Sequence, residues 1–427
     1  MDTIEIFKSF SSTPRCSFDA LKMRDFIVKS VLPLGYEVNI DKANNIICRK
    51  KKPLLCLQSH YDMVCLADAP NVEIYEKDGF LMAKNSTLGA DNGIGVALML
   101  YMMSKFDNIE CLFTSDEEVG LIGANNFEYK ITAPYLLNLD SEEEGAIFVG
   151  CAGGVDIIGE IDALKKPYRN RYKTYDICIK DLQGGHSGID IDKNIPNAIK
   201  VLAEELIKSK CELISIDGGE RINSIPKSAF AKVYAPNGFT SKNIDLSIKE
   251  IENDGNVLTH SDNIIQMLQN FVQGVRSFDE KLKIPSQSIN LSTVKTDADK
   301  VKVEFFARAM DKKSLESLSD ETEKFLKSFG FRVKTEGFSA PWKPNITPFA
   351  KKLQAVMGRF FENVNFKAIH AGLECGIFEN KQKSLQVVSI GANINFPHSL
   401  RENCEIASVK KLETIVTELM LDLKHTL

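Results

Sequence analysis

Histidine is scarce in this chain, with six among 427 residues, at positions 60, 186, 260, 370, 398 and 425. Two of them can be grouped with acids: His60-x-Asp62, Asp91 within Leu88-Gly89-Ala90-Asp91-Asn92-Gly93, the pair Glu117-Glu118, Asp140, and His398. Imidazoles and carboxylates with no cysteine among them suit a hydrolytic Zn2+ or Mn2+ site that keeps an open position, and argue against a structural thiolate site. With one aspartate bridging, two histidines and two terminal carboxylates would hold two ions about 3.5–4 Å apart, able to share and deprotonate one water. Adjacent Glu117 and Glu118 on an extended segment point opposite ways, so one can bind metal while its neighbour acts as general base. His60 and Asp62 face one side of a strand end, where Asp62 can take the second ring N–H of His60 and fix its tautomer. The blander alternatives are a helix cap for Asp91 and solvated turn residues for the strand-terminal acids. Glu142-Glu143-Glu144 reads as such a solvated acidic turn.

These residues need a frame that converges them. Three apolar runs share one form: Leu54-Leu55-Cys56-Leu57 leads to His60 and Asp62, Ile109 to Phe113 leads to Glu117 and Glu118, and Tyr135 to Leu139 ends in Asp140. Each reads as a buried strand with ligand-type residues at its carboxyl end, and a helix over Asp91 to Met103 lies between the first two. That alternation predicts an α/β sheet whose crevice opens at the strand ends. A helix after Ser17, capped by that serine and stopped near Leu34-Gly35, and a strand pair through 37–40 and 45–48 precede it. After Asp140 the pattern changes to hairpin-like strands, at 175–179 and 302–306, with a helix over 196–209. The α/β style returns after Trp342, with a helix from 347 to 361, a strand at 385–390 and an amphipathic helix from 406 to 423. The expected architecture is a catalytic α/β domain with a mixed central sheet, residues 1–144 and 341–427. An inserted α+β lid domain, residues 145–340, interrupts it.

Composition excludes several classes. The chain is 44% apolar and 26% charged, ordinary for a globular protein with a sizeable core. A net charge of −5 gives no electrostatic reason to expect nucleic acid or an anionic membrane as partner. The longest apolar stretch, Ile94 to Met103, is too short for a bilayer span of about 20 residues, and Met-Asp-Thr-Ile-Glu lacks the features of a signal peptide. The ten cysteines form no C-x-x-C pair and sit mostly in apolar runs, so they read as reduced, buried thiols and the location as cytoplasmic.

Longer motifs carry a resemblance. His60-Tyr61-Asp62-Met63-Val64, Asn85 to Gly95 with its Thr-Leu-Gly-Ala-Asp-Asn-Gly core, and Leu137 to Gly145 closely resemble the aminoacyl-histidine dipeptidases. These belong to the dizinc peptidase family that includes carnosinases and acetylornithine deacetylase. The similarity continues through Gly184-Gly185-His186-Ser187-Gly188, Asn223-Ser224-Ile225-Pro226, His370 to Gly376 and Phe396-Pro397-His398-Ser399, covering nearly the whole chain in order. It implies two divalent ions, Zn2+ foremost with Mn2+ or Co2+ as alternatives. His60 and Asp140 would bind one ion, Glu118 and His398 the other, and Asp91 would bridge them. Glu117 becomes the general base, Asp62 the orienting acid, and His186 the lid histidine that polarises the scissile carbonyl. Glu374, His370, Asn223 and Arg308 would contact substrate: a carboxylate for its amine, an arginine for its carboxylate. Arg308 is equally readable as a strand-edge charge. A homodimer through the inserted domain is implied as well.

The activity expected is hydrolysis of dipeptides, of the Xaa-His type and broader. The alternative is an N-acyl amino-acid deacylase or carboxypeptidase on the same metal core. A catalytically idle peptide-binding scaffold is a third reading, against which Glu117 counts, since a binding module needs no base.

Overall fold

The computed structural model describes residues 1–168, 173–235, 238–252 and 255–425. The chain divides into two compact units: Met1–Cys151, Trp342–Ala368 and Leu373–Leu427 form the first, and Ala152–Pro341 with Ile369–Gly372 the second. Each has its own apolar core.

In the first unit α1 (Thr3–Phe10) and α2 (Leu21–Val31) precede β1 (Glu37–Ile40), β2 (Ile46–Arg49), β3 (Leu55–His60), β4 (Ile74–Lys77) and β5 (Phe80–Ala83). Then come α3 (Ala90–Lys105), β6 (Ile109–Thr114), β7 (Tyr135–Asn138) and β8 (Ala146–Cys151). The sheet runs β1-β2-β6-β3-β7, then strand Gln386–Ser389, β8 and strand Asn365–Ile369. Its centre is parallel: β3 pairs with both β6 and β7, and β7 with Gln386–Ser389, while β1, β2 and β8 join antiparallel. The sheet is therefore mixed, with β3, β6 and β7 delivering their carboxyl ends to one rim. β3 and β6 are buried at every position, as strands covered on both faces must be. Because β8 pairs into this sheet, the first unit extends to Cys151.

Helix α3 lies close against β3. A Cβ on Gly95 would fall 2.3 Å from Ser59 Oγ and 2.1 Å from Asn92 Oδ1, so glycine is what permits the approach. Helix Pro348–Met357 is capped by Thr347, whose hydroxyl accepts from the Ala350 amide at 3.1 Å. A smaller sheet joins β4 and β5 to strands Asn403–Glu405 and Ile394–Asn395, anchoring the loop that carries His398.

Two local expectations are corrected, and one helix is added. Ser17 caps no helix: α2 starts after Ala20, and the Ser17 hydroxyl donates to Asp62 Oδ2 at 2.8 Å instead. A first helix, α1, is present and closed by a reciprocal capping box between Asp2 and Glu5. Finally, Cys16 and Cys65 are not free thiols but form a disulfide with Cα atoms 5.5 Å apart. The segment leaving β3 runs beside the one before α2, bridging Cys16 to Met63, and so brings the two cysteines together. The other eight are free thiols, all buried except half-buried Cys178.

The second unit is α+β. Its central hairpin, Ile284–Thr296 with Lys300–Ala309, is continued by Gly153–Asp162 and Arg332–Ser339 on one side. On the other lie Glu212–Gly218, Ala229–Ala235, Lys173–Ile179 and Leu246–Ile251. Helices Ala198–Lys208, Ser261–Asn270 and Lys312–Ser328 bury apolar faces in this unit's core. Among the described residues no helix is long and apolar enough to cross a membrane.

Candidate metal centre

The register of the parallel strands sets the geometry. His60 ends β3 opposite Thr114 at the end of β6, and Gln58 pairs across to Asn138 at the end of β7. The segments that leave these ends carry Asp62, Glu117-Glu118 and Asp140 to one place, and Asp91 arrives at the start of α3. His398 comes from the loop before strand Asn403–Glu405.

Asp91 stands between two histidines. Its Oδ1 is 3.1 Å from His60 Nε2 and its Oδ2 is 2.9 Å from His398 Nε2. His60 Nε2 is also 3.3 Å from Asp140 Oδ1, and His398 Nε2 is 2.8 Å from Glu118 Oε2. Three groups thus offer ligand atoms all within 4.8 Å of one another: His60, Asp91 and Asp140; Asp91, Glu118 and His398; and His60, Glu117 and Glu118. The five residues expected as ligands are brought together, with Glu117 beside them.

Asp62 does more than its spacing suggested. His60 Nδ1 lies 3.2 Å from the Asp62 backbone carbonyl and 3.4 Å from its carboxylate. That carboxylate also accepts the Glu117 amide at 3.0 Å and the Glu118 amide at 3.4 Å. It therefore fastens the segment after β6 to the end of β3.

The charges explain why this cluster wants cations. Burial raises the Glu118 carboxyl to about 7, and the Asp91 charge adds to it. Burial likewise pushes Glu117 well up, as it does Asp140. The His398 side chain is 43% exposed; partial desolvation of its ring opposes the charged form, yet hydrogen bonds to Asp91 and Glu118 outweigh it and carry the ring up to about 12. His60 is raised for the same kind of reason by Asp140, against the pull of burial. Asp91 is held low by both rings despite its burial. The two imidazolium rings thus stand among the acids where metal ions would sit. Glu118 Oε1 is buried with no hydrogen-bond partner among the described residues, an orphaned acceptor that an ion would satisfy. Donor types, spacing and this unfilled oxygen fit two divalent ions.

Glu374 is wholly buried at the same rim, where Thr114 Oγ1 donates to its Oε2 at 2.7 Å and Gln58 Nε2 donates as well. Burial raises it to about 8. Glu142 is not the solvated acid of a turn: it is half-buried, and burial with the Asp91 charge pushes its carboxyl well up. Its neighbours Glu143 and Glu144 pair with Lys367 and Lys411.

The other expected residues lie in the second unit. His186 Nδ1 accepts the amides of Gly188 and Ile189 at 3.2 and 3.1 Å, and its Nε2 lies 3.5 Å from Arg308 Nη2. Arg308 is 5% exposed on a central strand, with its guanidinium over the Phe306 ring, so it is no strand-edge charge. His370 Nε2 is 2.7 Å from Ser288 Oγ; burial, with Arg308 nearby, lowers the ring to about 3 and keeps it neutral. Asn223 is half-buried, its carbonyl accepting from the Ser187 amide.

Two residues at the centre escaped sequence reasoning. Glu402 accepts four consecutive backbone amides, those of Leu88, Gly89, Ala90 and Asp91. Arg15, fully buried, donates to the Gly89 carbonyl at 2.7 Å. The place of Glu402 four residues after His398 was the available signal; Arg15 offered none.

The fold and cluster define a two-unit α/β protein with a carboxylate-histidine centre at the carboxyl ends of parallel strands. The family model described as Peptidase family M20/M25/M40 matches residues 56–422, and the chain belongs to that family. It is 30% identical to the cytosol non-specific dipeptidase of Escherichia coli (strain K12), over 98% of this chain and 97% of that protein. Among solved structures, the aminoacylhistidine dipeptidase of Vibrio alginolyticus matches with a TM-score of 0.75 at 27% identity, over 98% of this chain and 96% of that one. Human carnosine dipeptidase 1 shares the fold, with a TM-score of 0.59 at 14% identity over 99% and 96% of the two chains.

Proposed function

We propose that the chain is a cytoplasmic, dizinc dipeptidase that hydrolyses Xaa-His and other dipeptides. The observation that supports two ions is Asp91 with a different histidine at each oxygen and a further carboxylate beside each histidine. His60 and Asp140 would hold one ion, His398 and Glu118 the other, with Asp91 shared. Bound there, two divalent ions would polarise the scissile carbonyl and lower the pKa of a shared water.

The chain's own groups do the rest. Glu117 takes a proton from the attacking water and passes it to the leaving amine. Asp62 holds the His60 ring and, through the Glu117 amide, aims the base. His186 accepts at Nδ1, which leaves Nε2–H of the neutral ring as the donor to the carbonyl oxygen that gains charge. Arg308 is assigned the substrate carboxylate, with Asn223 and His370 as its companions. Glu374, whose Oε1 has no hydrogen-bond partner among the described residues, is assigned the substrate amine. A homodimer through the second unit rests on the resemblance of the motifs alone, and the cytoplasmic location on the cytosolic name of the Escherichia coli relative.

The test is a panel of dipeptides and N-acyl amino acids run with metal analysis. About two transition-metal ions per chain, turnover of Xaa-His and other dipeptides, and loss of activity with chelator are expected. Hydrolysis of acyl amino acids but not dipeptides would overturn the substrate assignment.

A further inference from the structure

Glu402 is 4% exposed and makes no contact with a ligand side chain among its hydrogen bonds, yet it touches the backbone on which the bridging aspartate stands. Its Oε2 accepts the Leu88 and Gly89 amides at 2.8 and 3.0 Å, and its Oε1 accepts the Ala90 and Asp91 amides at 2.7 and 3.4 Å. Four successive N–H groups turned on one carboxylate form a concave anion cradle. Arg15 holds the same turn from its carbonyl side, through Gly89. Gly89 has φ of 65°, which strains any other residue, and a Cβ there would fall 2.5 Å from Arg15 Nη2 and 2.8 Å from Met63 Sδ and displace both side-chain ends. The other end of the link is the His398 loop: the Glu402 amide donates to the Ser399 carbonyl at 3.1 Å, and strand Asn403–Glu405 pairs with β5. One side chain thus joins the segment that ends in Asp91 to the loop that begins at His398.

We propose that Glu402 is a positioning residue of the metal centre, locking the Leu88–Asp91 backbone to the His398 loop so that Asp91 and His398 meet the ion they share with Glu118. It rests on the two-ion reading above. Arg15, fully buried and bonded to the Gly89 carbonyl, supports the clamp from the other side of the turn. Glu402 contacts no reacting atom. The clamp reaches both ions through the shared Asp91 but only the ion of Glu118 through His398, while His60 and Asp140 stand on β3 and after β7, so its effect falls on that ion more than on the other. Loss of an outer partner of this kind weakens metal affinity by about 10- to 100-fold.

The experiment compares metal-free wild type, E402Q and E402D by calorimetric titration with Zn2+. The neutral amide of E402Q presents one acceptor oxygen where the carboxylate presents two. Wild type is expected to take up two equivalents; E402Q loses about tenfold or more in affinity for one of them and keeps the other within about threefold. E402D, which keeps the charge, recovers part of that loss. The Co2+ ligand-field spectrum of the weakened position shifts in E402Q, and dipeptide turnover lost at limiting Zn2+ returns with excess Zn2+ at unchanged KM. If E402Q does not fold, E402D carries the comparison, with a smaller loss on the same ion. Equal affinities for both ions in both variants, or an equal fall at both positions, would overturn the inference. Fewer than two equivalents on wild type would instead remove the two-ion reading itself.

Discussion

Asp91, His60 and His398 make a chain of contacts in which each carboxylate oxygen has its own imidazole. In the metal-free protein both rings are raised, His398 to about 12, so both carry protons at neutral pH. A histidine must be neutral to bind a metal. Zn2+ uptake is therefore expected to release protons and to strengthen with rising pH, which titrations in buffers of different ionisation enthalpy will measure. Stability of the metal-free chain runs the other way. The folded pKa of His398 lies above its unfolded value of about 6.5, so its contribution is fully present below that pH and is lost as pH rises through about 12. Denaturant midpoints of chelated protein should accordingly fall toward alkaline pH. For Glu117, replacement by Gln is expected to lower kcat by about 10²- to 10⁴-fold with both ions retained. Intact turnover in E117Q would remove the base assignment. Residue types and their order along the chain made these groups legible, because hydrolytic metal chemistry accepts few side chains and strand ends deliver them. Arg15 was not legible, since nothing in a sequence distinguishes a buried arginine from the many at the surface.

At the scale of elements, strand ends came through well and their supports less so. β3, β6 and β7 are short apolar runs buried along most or all of their length, a pattern that reads directly. Ser17 misled because a serine before a helical pattern serves equally as a side-chain donor elsewhere, and Asp62 claims it. The contact of α3 with β3 depends on Gly95, where an added methyl meets Ser59 and Asn92. Gly95→Ala is expected to cost about 1–3 kcal/mol by overpacking and to reduce activity as well, because α3 carries Asp91 and β3 carries His60. Thr347→Ala provides a contrast: losing that cap costs about 1 kcal/mol and leaves KM unchanged. Urea denaturation read beside dipeptide kinetics separates the two. Equal kinetic effects would show that α3 packing does not govern the site.

Over the whole molecule, two apolar cores and the candidate metal centre make a simple expectation for heat denaturation. The five residues assigned as ligands belong to the first unit, so metal binding adds to its stability by mass action, about 2.7 kcal/mol at a hundredfold excess over Kd. Scanning calorimetry with and without chelator should then move the transition of the first unit and leave that of the second near its place; a shift of both by the same amount would mean that the units unfold as one. The α/β class with an α+β insertion was readable from periodicity, because alternating buried strands and helices can close only a few ways. Sequence by itself determined which ligand-type side chains stand at which strand ends, since side-chain chemistry and hydrophobic period are local properties. Tertiary structure alone decided that Cys16 meets Cys65, that Glu142 faces the acids, and that Glu402 reaches back to Leu88–Asp91. Those are meetings of loops far apart in the chain, and no local pattern encodes which loops the sheet will bring together.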